Sequence, residues 1–197
     1  FCLDSDLCGS GLFAGHGTIG SNGKTTTTSL IYYLLQNAGL NVGLGGNIGK
    51  SYAMQVATEK HAIYVLELSS FQLDGMYDFK ADIAVLMNIT PDHLDRYDHC
   101  FQNYINAKFR ITRNMNPEDC FIFCSDDEVT IGELNKIVVQ AKKLPFTQND
   151  TVEEGAWLEN DTLRVRYDGD EFDILVQDLA LEGRHNVYNS MAAAITG

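Results

Sequence analysis

The chain has 197 residues, of which 45% are hydrophobic and 21% are charged. This size and composition suit one globular domain, or one domain with a small appendage, and exclude disorder, collagen and coiled coil as the main architecture. Acidic residues outnumber basic residues 27 to 14, giving a net charge of −13, which argues against nucleic acid as a partner because phosphate binding needs a basic surface. Every apolar run is shorter than the roughly 18 residues of a membrane span, so no membrane insertion is predicted.

The cysteines are scattered and odd in number, and none has metal-ligand spacing toward a histidine pair. They are Cys2, Cys8, Cys100, Cys120 and Cys124. Scattered free thiols are typical of a reducing compartment, so a cytoplasmic location is predicted. The chain starts with Phe1 rather than Met and stops inside a predicted helix, and we therefore expect it to be a piece of a longer protein.

The N-terminal part of the chain is rich in glycine. Its only apolar run is 12–14, so we predict no strand within the first 20 residues. Apolar residues then recur three to four positions apart over 24–36, which predicts a helix, and Gly39 is well placed to end it.

Short apolar runs then alternate with helical patterns. Near-continuous apolar runs at 62–68, 83–89 and 120–124 predict strands that are buried on both faces, as in parallel sheets. The residues of 98–115 and 128–142 follow a helical period. This alternation predicts an α/β fold with a mostly parallel sheet flanked by helices.

The pattern changes after Pro145. A polar, acidic stretch at 147–155 reads as a link. Short strands are predicted at 157–159, 162–167 and 171–176, and the dipeptide Asp168-Gly169 indicates a hairpin between the last two. We therefore predict a small antiparallel meander, attached to the main sheet, followed by a helix over 184–195.

A glycine-rich turn opens the first predicted helix. Its residues are Gly20, Ser21, Asn22, Gly23, Lys24, Thr25 and Thr26. Backbone N–H groups of such a turn cradle phosphates, the lysine reaches the β- and γ-phosphates, and the hydroxyl of Thr25 binds Mg²⁺. Thr18 stands where the general pattern has its first glycine. The alternative is a glycine turn that only starts a helix.

Three further features could carry chemistry. Glu67 lies near the end of a predicted strand, where carboxylates face the ligand crevice of parallel sheets and can hold Mg²⁺. His93 lies between aspartates in the 88–97 run (N-I-T-P-D-H-L-D-R-Y), where it could bind a metal. Lys108 follows on a predicted helix. For each of Glu67, His93 and Lys108 considered alone, the alternative is an ordinary solvated side chain without a chemical role.

Together these residues resemble the Mur ligases. The turn G-S-N-G-K-T-T is similar to the family's nucleotide loop, and L-E-L-S-S-F-Q-L and the 88–97 run resemble the members that add D-glutamate. G-R-H-N-V-Y-N at 183–189 is similar to the motif that ends the family's central domain. The resemblance implies a central ATP-binding domain over 18–197, with the meander at about 156–177, an unassigned stretch at 1–17, and no N-terminal UDP-binding or C-terminal amino-acid-binding domain.

The resemblance also implies roles for single residues. It implies ATP and two Mg²⁺ ions as cofactors. Lys24, Glu67, His93 and Lys108 are the implied catalytic residues, and Thr25, Glu67, His93 and Lys108, the last as a carbamate, are the implied metal ligands. Asn186 and Asn189 would contact the adenine side of ATP, and Asn47 and Ser69 would line the substrate side. The implied substrates are UDP-N-acetylmuramoyl-L-alanine and D-glutamate, joined through an acyl phosphate in the synthesis of peptidoglycan precursors.

Other functions remain open from the sequence. A small kinase or GTPase would also carry a phosphate loop, although no guanine signature of the type Asn-Lys-x-Asp is present. Another amide ligase of the same superfamily, such as folylpolyglutamate synthase, is a closer alternative. A non-catalytic ATP-binding fragment is the third.

Overall fold

The structure is a computed structural model and describes residues 14–197. It has a single sheet of nine strands in the order β2-β3-β1-β4-β5-β6-β7-β8-β9. The strands are β1 Ala14–Ile19, β2 Val42–Gly46, β3 Ile63–Glu67, β4 Ile83–Leu86, β5 Cys120–Cys124, β6 Lys142–Thr147, β7 Gly155–Glu159, β8 Thr162–Tyr167 and β9 Asp170–Leu175. The helices are α1 Lys24–Asn37, α2 Tyr52–Thr58, α3 Ser70–Gly75, α4 Phe101–Phe109, α5 Glu128–Leu134 and α6 Arg184–Thr196.

The strands from β2 to β7 are parallel, and helices cover both faces of the sheet. In β5, Ile122 faces the core beneath α1 and α6, whereas Phe121 and Phe123 face the core beneath α3 and α4. This alternation explains the near-continuous apolar runs, because both sides of each strand are buried. The predicted α/β class is confirmed, as are the strands expected within 62–68 and 83–89 and the strand at 120–124.

The central strand was not predicted. β1 pairs with β3 on one side and β4 on the other, although we expected no strand before residue 20. A Cβ on Gly17 would lie 3.1 Å from Ile111 Cδ1 and 3.2 Å from Leu68 Cδ1. Side chains from the 3-10 turn after α4 and from the residue after β3 therefore pack directly on the backbone of this strand. The glycines that make this possible hide the apolar alternation.

Helix limits also differ from the prediction. The helix expected over 128–142 ends at Leu134, and the chain enters β6 at Lys142. Pro145 lies within β6 but before the β6–β7 ladder, which begins at Phe146, and a proline is tolerated at such a position. The helix expected over 98–115 is shorter: α4 ends at Phe109 and a 3-10 turn follows. α1 ends close to the predicted position, and Gly39 follows it with φ 83°.

The antiparallel end of the sheet follows the prediction. β7 runs parallel to β6, and β8 and β9 then pair in antiparallel fashion. Asp168 (φ 51°) and Gly169 (φ 89°) form the predicted two-residue hairpin turn, as expected of the Asp-Gly signal. The stretch at 147–155 connects two strands of one sheet and is not a boundary between domains. α6 also occupies the place predicted for the last helix.

Two expectations from composition concern the whole chain. Within residues 14–197, no helix combines the length and hydrophobicity needed to cross a membrane. Cys100, Cys120 and Cys124 are free thiols, whereas Cys2 and Cys8 lie outside the described residues.

Candidate active site

The candidate site lies at the carboxyl edge of the parallel strands. The chain leaves β1 toward β2 on one side of the sheet and later reaches β4 on the other side. Such a reversal of strand order opens a crevice between the loops of neighbouring strands, which is where open α/β sheets bind ligands. Residues 20–26, which we call the nucleotide loop, follow β1 at this point.

The nucleotide loop is shaped by its two glycines. Gly23 has φ 81°, and a Cβ there would lie 2.6 Å from Asn189 Oδ1. A Cβ on Gly20 would lie 2.9 Å from Met87 Cβ, so the backbone passes too close to its neighbours for any side chain. Lys24 Nζ donates to the carbonyl oxygens of Gly20 (2.9 Å) and Ser21 (3.0 Å). The lysine charge is therefore held at the loop, ahead of the N-terminus of α1.

Glu67, at the end of β3, connects the loop after β2 to the nucleotide loop. Its side chain is 2% exposed at the end of β3. Thr25 Oγ1 donates to Oε2 at 2.6 Å, and Asn47 Nδ2 donates to Oε1 at 2.7 Å. Both carboxylate oxygens are thus hydrogen-bonded, which compensates the burial of this charge. Three of the predicted residues are in direct contact here.

The 88–97 run is fastened to the nucleotide loop. The side chain of Asn88 accepts from the backbone N–H of Asn22 (2.9 Å) and donates to its carbonyl (3.2 Å). The backbone N–H of Thr90 donates to Ser21 Oγ (2.9 Å), and that hydroxyl donates to the Thr90 carbonyl (3.0 Å). Sequence reasoning missed Asn88 as a site residue, because its partners are revealed only by the pairing of β1 with β4.

His93 projects from the same run. It adopts φ 49° just before a 3-10 turn, and its side chain is 57% exposed. Its ring centre lies 5.4 Å from that of Phe71, and Nε2 lies 3.5 Å from Asp92 Oδ2. Within residues 14–197, no hydrogen bond or ion pair joins His93 to Glu67 or Lys108.

Lys108 is a buried lysine on α4, with only 2% of its surface exposed. Burial, reinforced by the nearby charge of Lys24 and opposed by Asp92, lowers its pKa to about 7. Its Nζ lies 4.5 Å from the centre of the Tyr104 ring. In the part of the chain that the structure describes, no carboxylate forms an ion pair with it. The interpretation of Lys108 as an ordinary solvated lysine is wrong.

Other predicted side chains have structural partners. Ser69 caps α3: its hydroxyl accepts from the N–H of Gln72 (3.3 Å), whose side chain accepts from the N–H of Ser69 (2.9 Å). Asn189 is buried on α6; its Oδ1 accepts from Thr27 Oγ1 (3.1 Å) and its Nδ2 donates to Asn186 Oδ1 (2.9 Å). Asn189 thus ties α6 to α1 beside Gly23.

The arrangement fits a nucleotide with one divalent cation. The tight glycine turn, the helix N-terminus and the lysine suit phosphate groups. The hydroxyl of Thr25 and the carboxylate of Glu67 are oxygen donors of the kind that Mg²⁺ prefers. Among the described residues, no group of three His, Cys, Asp or Glu side chains could hold a metal ion by itself. A cation here would therefore need further oxygen ligands from the nucleotide or water.

Comparison with known proteins agrees with this geometry. Residues 19–197 match the family described as the Mur ligase middle domain. The chain belongs to the Mur ligase family. A UDP-N-acetylmuramoylalanine–D-glutamate ligase of Bacteroides fragilis is 61% identical over 179 residues, which cover 90% of this chain and 40% of that protein. One from Porphyromonas gingivalis is 53% identical over 182 residues, covering 89% and 40%.

Solved structures of Mur ligases share the fold. A UDP-N-acetylmuramoyl-L-alanyl-D-glutamate–2,6-diaminopimelate ligase has a TM-score of 0.73 at 21% identity, covering 97% of this chain and 44% of that protein. The MurF ligase of Thermotoga maritima, solved in complex with ADP, has a TM-score of 0.63 at 22% identity, covering 92% and 44%. This Mur ligase chain therefore spans about 40% of the length of the curated relatives it matches.

Proposed function

We propose that this chain is the ATP-binding central domain of a ligase that joins D-glutamate to UDP-N-acetylmuramoyl-L-alanine. Such an enzyme makes peptidoglycan precursors in the cytoplasm, and cell shape and division depend on its product. The names of the relatives support the choice of substrates. The observation that carries the proposal is the chain of contacts from Thr25 through Glu67 to Asn47 beside the nucleotide loop.

In this proposal the nucleotide loop binds ATP. Lys24 neutralises the β- and γ-phosphates, and Asn186 and Asn189 lie toward the adenine. Of these two, Asn186 is the better placed, because it is partly exposed while Asn189 is buried and already bonded to Thr27. When bound, Mg²⁺ supplies positive charge that offsets the phosphates. Thr25 and Glu67 would hold one ion.

His93 and Lys108, the lysine as a carbamate, are proposed as ligands of a second ion. A lysine with a pKa of about 7 has a substantial neutral fraction near neutral pH, and a neutral amine can take up CO₂. Asn47 and Ser69 are proposed on the substrate side of the crevice. Asn47 is exposed next to Glu67, whereas Ser69 would have to contact substrate while its hydroxyl caps α3.

The chemistry assigned to the site has a simple rationale. A carboxylate is a poor electrophile until one oxygen becomes a good leaving group, and an acyl phosphate provides that leaving group. The amine of D-glutamate can then attack the acyl carbon. The chain's own part is to position the phosphates by the nucleotide loop and to hold the neighbouring loops in place through Glu67 and Asn88.

Calorimetric titration with Mg-ATP tests the nucleotide part of the proposal. The 197-residue chain should bind, and Lys24→Ala should abolish measurable binding because it removes the cation at the loop. Lys143→Ala removes the same charge from an exposed position on β6 and should bind like the parent chain. Equal affinity in the parent chain and Lys24→Ala would contradict the proposal.

The choice of amino acid needs a second test. In a full-length ligase containing this domain, phosphate release should depend on D-glutamate and should fall when glycine, L-alanine or diaminopimelate replaces it. Turnover that is indifferent to the amino acid would favour another member of the superfamily.

A further inference from the structure

The hydroxyl of Ser21 is a junction of three segments. It donates to the carbonyl of Thr90 at 3.0 Å and accepts from the N–H of Thr90 at 2.9 Å. The phenol of Tyr104, on α4, lies 3.3 Å from the same oxygen. The nucleotide loop, the 88–97 run and α4 therefore meet at one atom.

The hydrogen bonds at this junction are compatible with one set of donors. A serine hydroxyl has one hydrogen and two acceptor lone pairs, and its hydrogen is directed to the Thr90 carbonyl. With the Ser21 hydrogen directed to Thr90, the phenol of Tyr104 is the donor to Ser21 Oγ. Tyr104 is 2% exposed, so its phenol is buried with this partner. Ser21 Oγ thus takes part in three hydrogen bonds, two with Thr90 and one with Tyr104.

The ring of Tyr104 has a second neighbour. Lys108 lies one helical turn further along α4, and its Nζ is 4.5 Å from the ring centre. Residues four apart on a helix lie on the same face, so the ring of Tyr104 packs directly against the end of the Lys108 side chain. One side chain therefore contacts the nucleotide loop through its hydroxyl and Lys108 through its ring.

We propose that Tyr104 is a positioning residue that joins the nucleotide loop to Lys108. Its hydroxyl sets the position of Ser21, and its ring sets the position of the lysine amine, so that the two parts of the site keep a fixed separation. This inference deepens the proposed function and rests on it, because the proposed function assigns ATP to the nucleotide loop and a metal-binding carbamate to Lys108. The contacts themselves can be tested without nucleotide or turnover.

The hydroxyl is tested by Tyr104→Phe, which keeps the ring. Amide hydrogen exchange at Thr90 and across the nucleotide loop should accelerate about threefold to tenfold, the effect of losing one hydrogen bond. The control is Tyr97→Phe, which removes a phenol from a neighbouring buried ring that bonds Asp74 instead. Unchanged exchange in Tyr104→Phe, or equal acceleration in β3 and β5, would overturn the proposal.

The ring is tested by acetylating lysines with acetic anhydride and measuring the labelled peptides by mass spectrometry. Lys108 should label slowly in the parent chain and in Tyr104→Phe, and about tenfold faster in Tyr104→Leu, taking one lost contact of the size of a desolvated cation–π pair. The exposed Lys143 serves as the internal reference in every sample. Equal labelling of Lys108 in Tyr104→Leu and the parent chain would overturn the ring's role.

Nucleotide affinity separates this inference from the proposed function. With a non-hydrolysable ATP analogue and Mg²⁺, Tyr104→Phe and Ser21→Ala should each weaken binding, and the double variant should be no weaker than the weaker single variant. If the two substitutions weaken nucleotide binding independently, so that their effects multiply in the double variant, a shared junction is contradicted. If the parent chain binds no analogue, the proposed function fails, and the exchange and labelling results still decide the role of Tyr104.

Discussion

His16 should make the stability of this chain depend on pH. It lies on the central strand β1 with 3% of its surface exposed, and within residues 14–197 its Nδ1 has no hydrogen-bond partner. Burial, only partly opposed by the charge of Asp82, lowers its pKa from 6.5 to about 4. The folded chain therefore keeps the imidazole neutral under conditions in which the unfolded chain protonates it.

The sign and size of the effect follow from this difference. The contribution is fully present above the unfolded pKa of 6.5 and is lost as the pH falls toward the folded pKa. One pKa unit corresponds to about 1.4 kcal/mol, so the loss is about 2 kcal/mol at about pH 5 and about 3 kcal/mol once both pKa values are passed. This is a large part of the about 5–15 kcal/mol that stabilises a typical domain.

Urea unfolding, followed by circular dichroism between about pH 7.5 and pH 5, measures this loss as a change in the unfolding free energy. The comparison is with His16→Leu, which cannot titrate at this position. The difference between the two pH profiles gives the contribution of His16 to the unfolding free energy, separate from that of the carboxylates. His99→Gln removes an exposed histidine and should keep the parent profile. A His16→Leu profile that falls as steeply as the parent's would refute the reasoning.

Three further outcomes are expected. Gly23→Ala should abolish Mg-ATP binding in calorimetry and lower the unfolding free energy by about 1–3 kcal/mol, because φ is 81° and the added Cβ would meet Asn189 Oδ1 at 2.6 Å. The control is Gly132→Ala, where the added Cβ would meet open space. In a full-length ligase, Lys108→Ala and Lys108→Arg should both lose turnover, and formate or acetate should partly restore only the Ala variant; full activity in the Arg variant would end the carbamate hypothesis. The 197-residue chain alone should show no D-glutamate-dependent phosphate release, since positioning both reactants supplies much of the rate, and release near the full-length rate would contradict the proposed role as a central domain.

The strands buried on both faces were predictable because their composition is decisive. β5 consists of Cys-Phe-Ile-Phe-Cys, and no polar residue interrupts it. β1 and β2 were not predictable, because glycine takes the place of apolar residues where neighbouring side chains pack on the backbone. In β2, a Cβ on Gly43 would lie 2.6 Å from His61 Cδ2 and 2.7 Å from Gln55 Oε1. Only the folded structure shows why those positions must be glycine.

The candidate site also contains residues that could be predicted from the sequence and residues that could not. The nucleotide loop follows from its own residues, and Glu67 follows from its place at the end of a strand. The roles of His93 and Lys108 came from resemblance, since a histidine and a lysine carry no signal by themselves. Asn88 and Tyr104 were missed because their importance lies in hydrogen bonds between segments that are distant in the sequence.

The bond between Thr27 and Asn189 has a consequence for the order of folding. The two side chains are 162 positions apart in the chain, and Asn189 also packs against Gly23. During synthesis, the nucleotide loop emerges well before α6, the helix that completes its surroundings. A nascent chain ending before α6 lacks this support, and loop closure over such a distance is slow compared with local contacts. The packing around the nucleotide loop is thus complete only once the chain has been synthesised as far as Asn189.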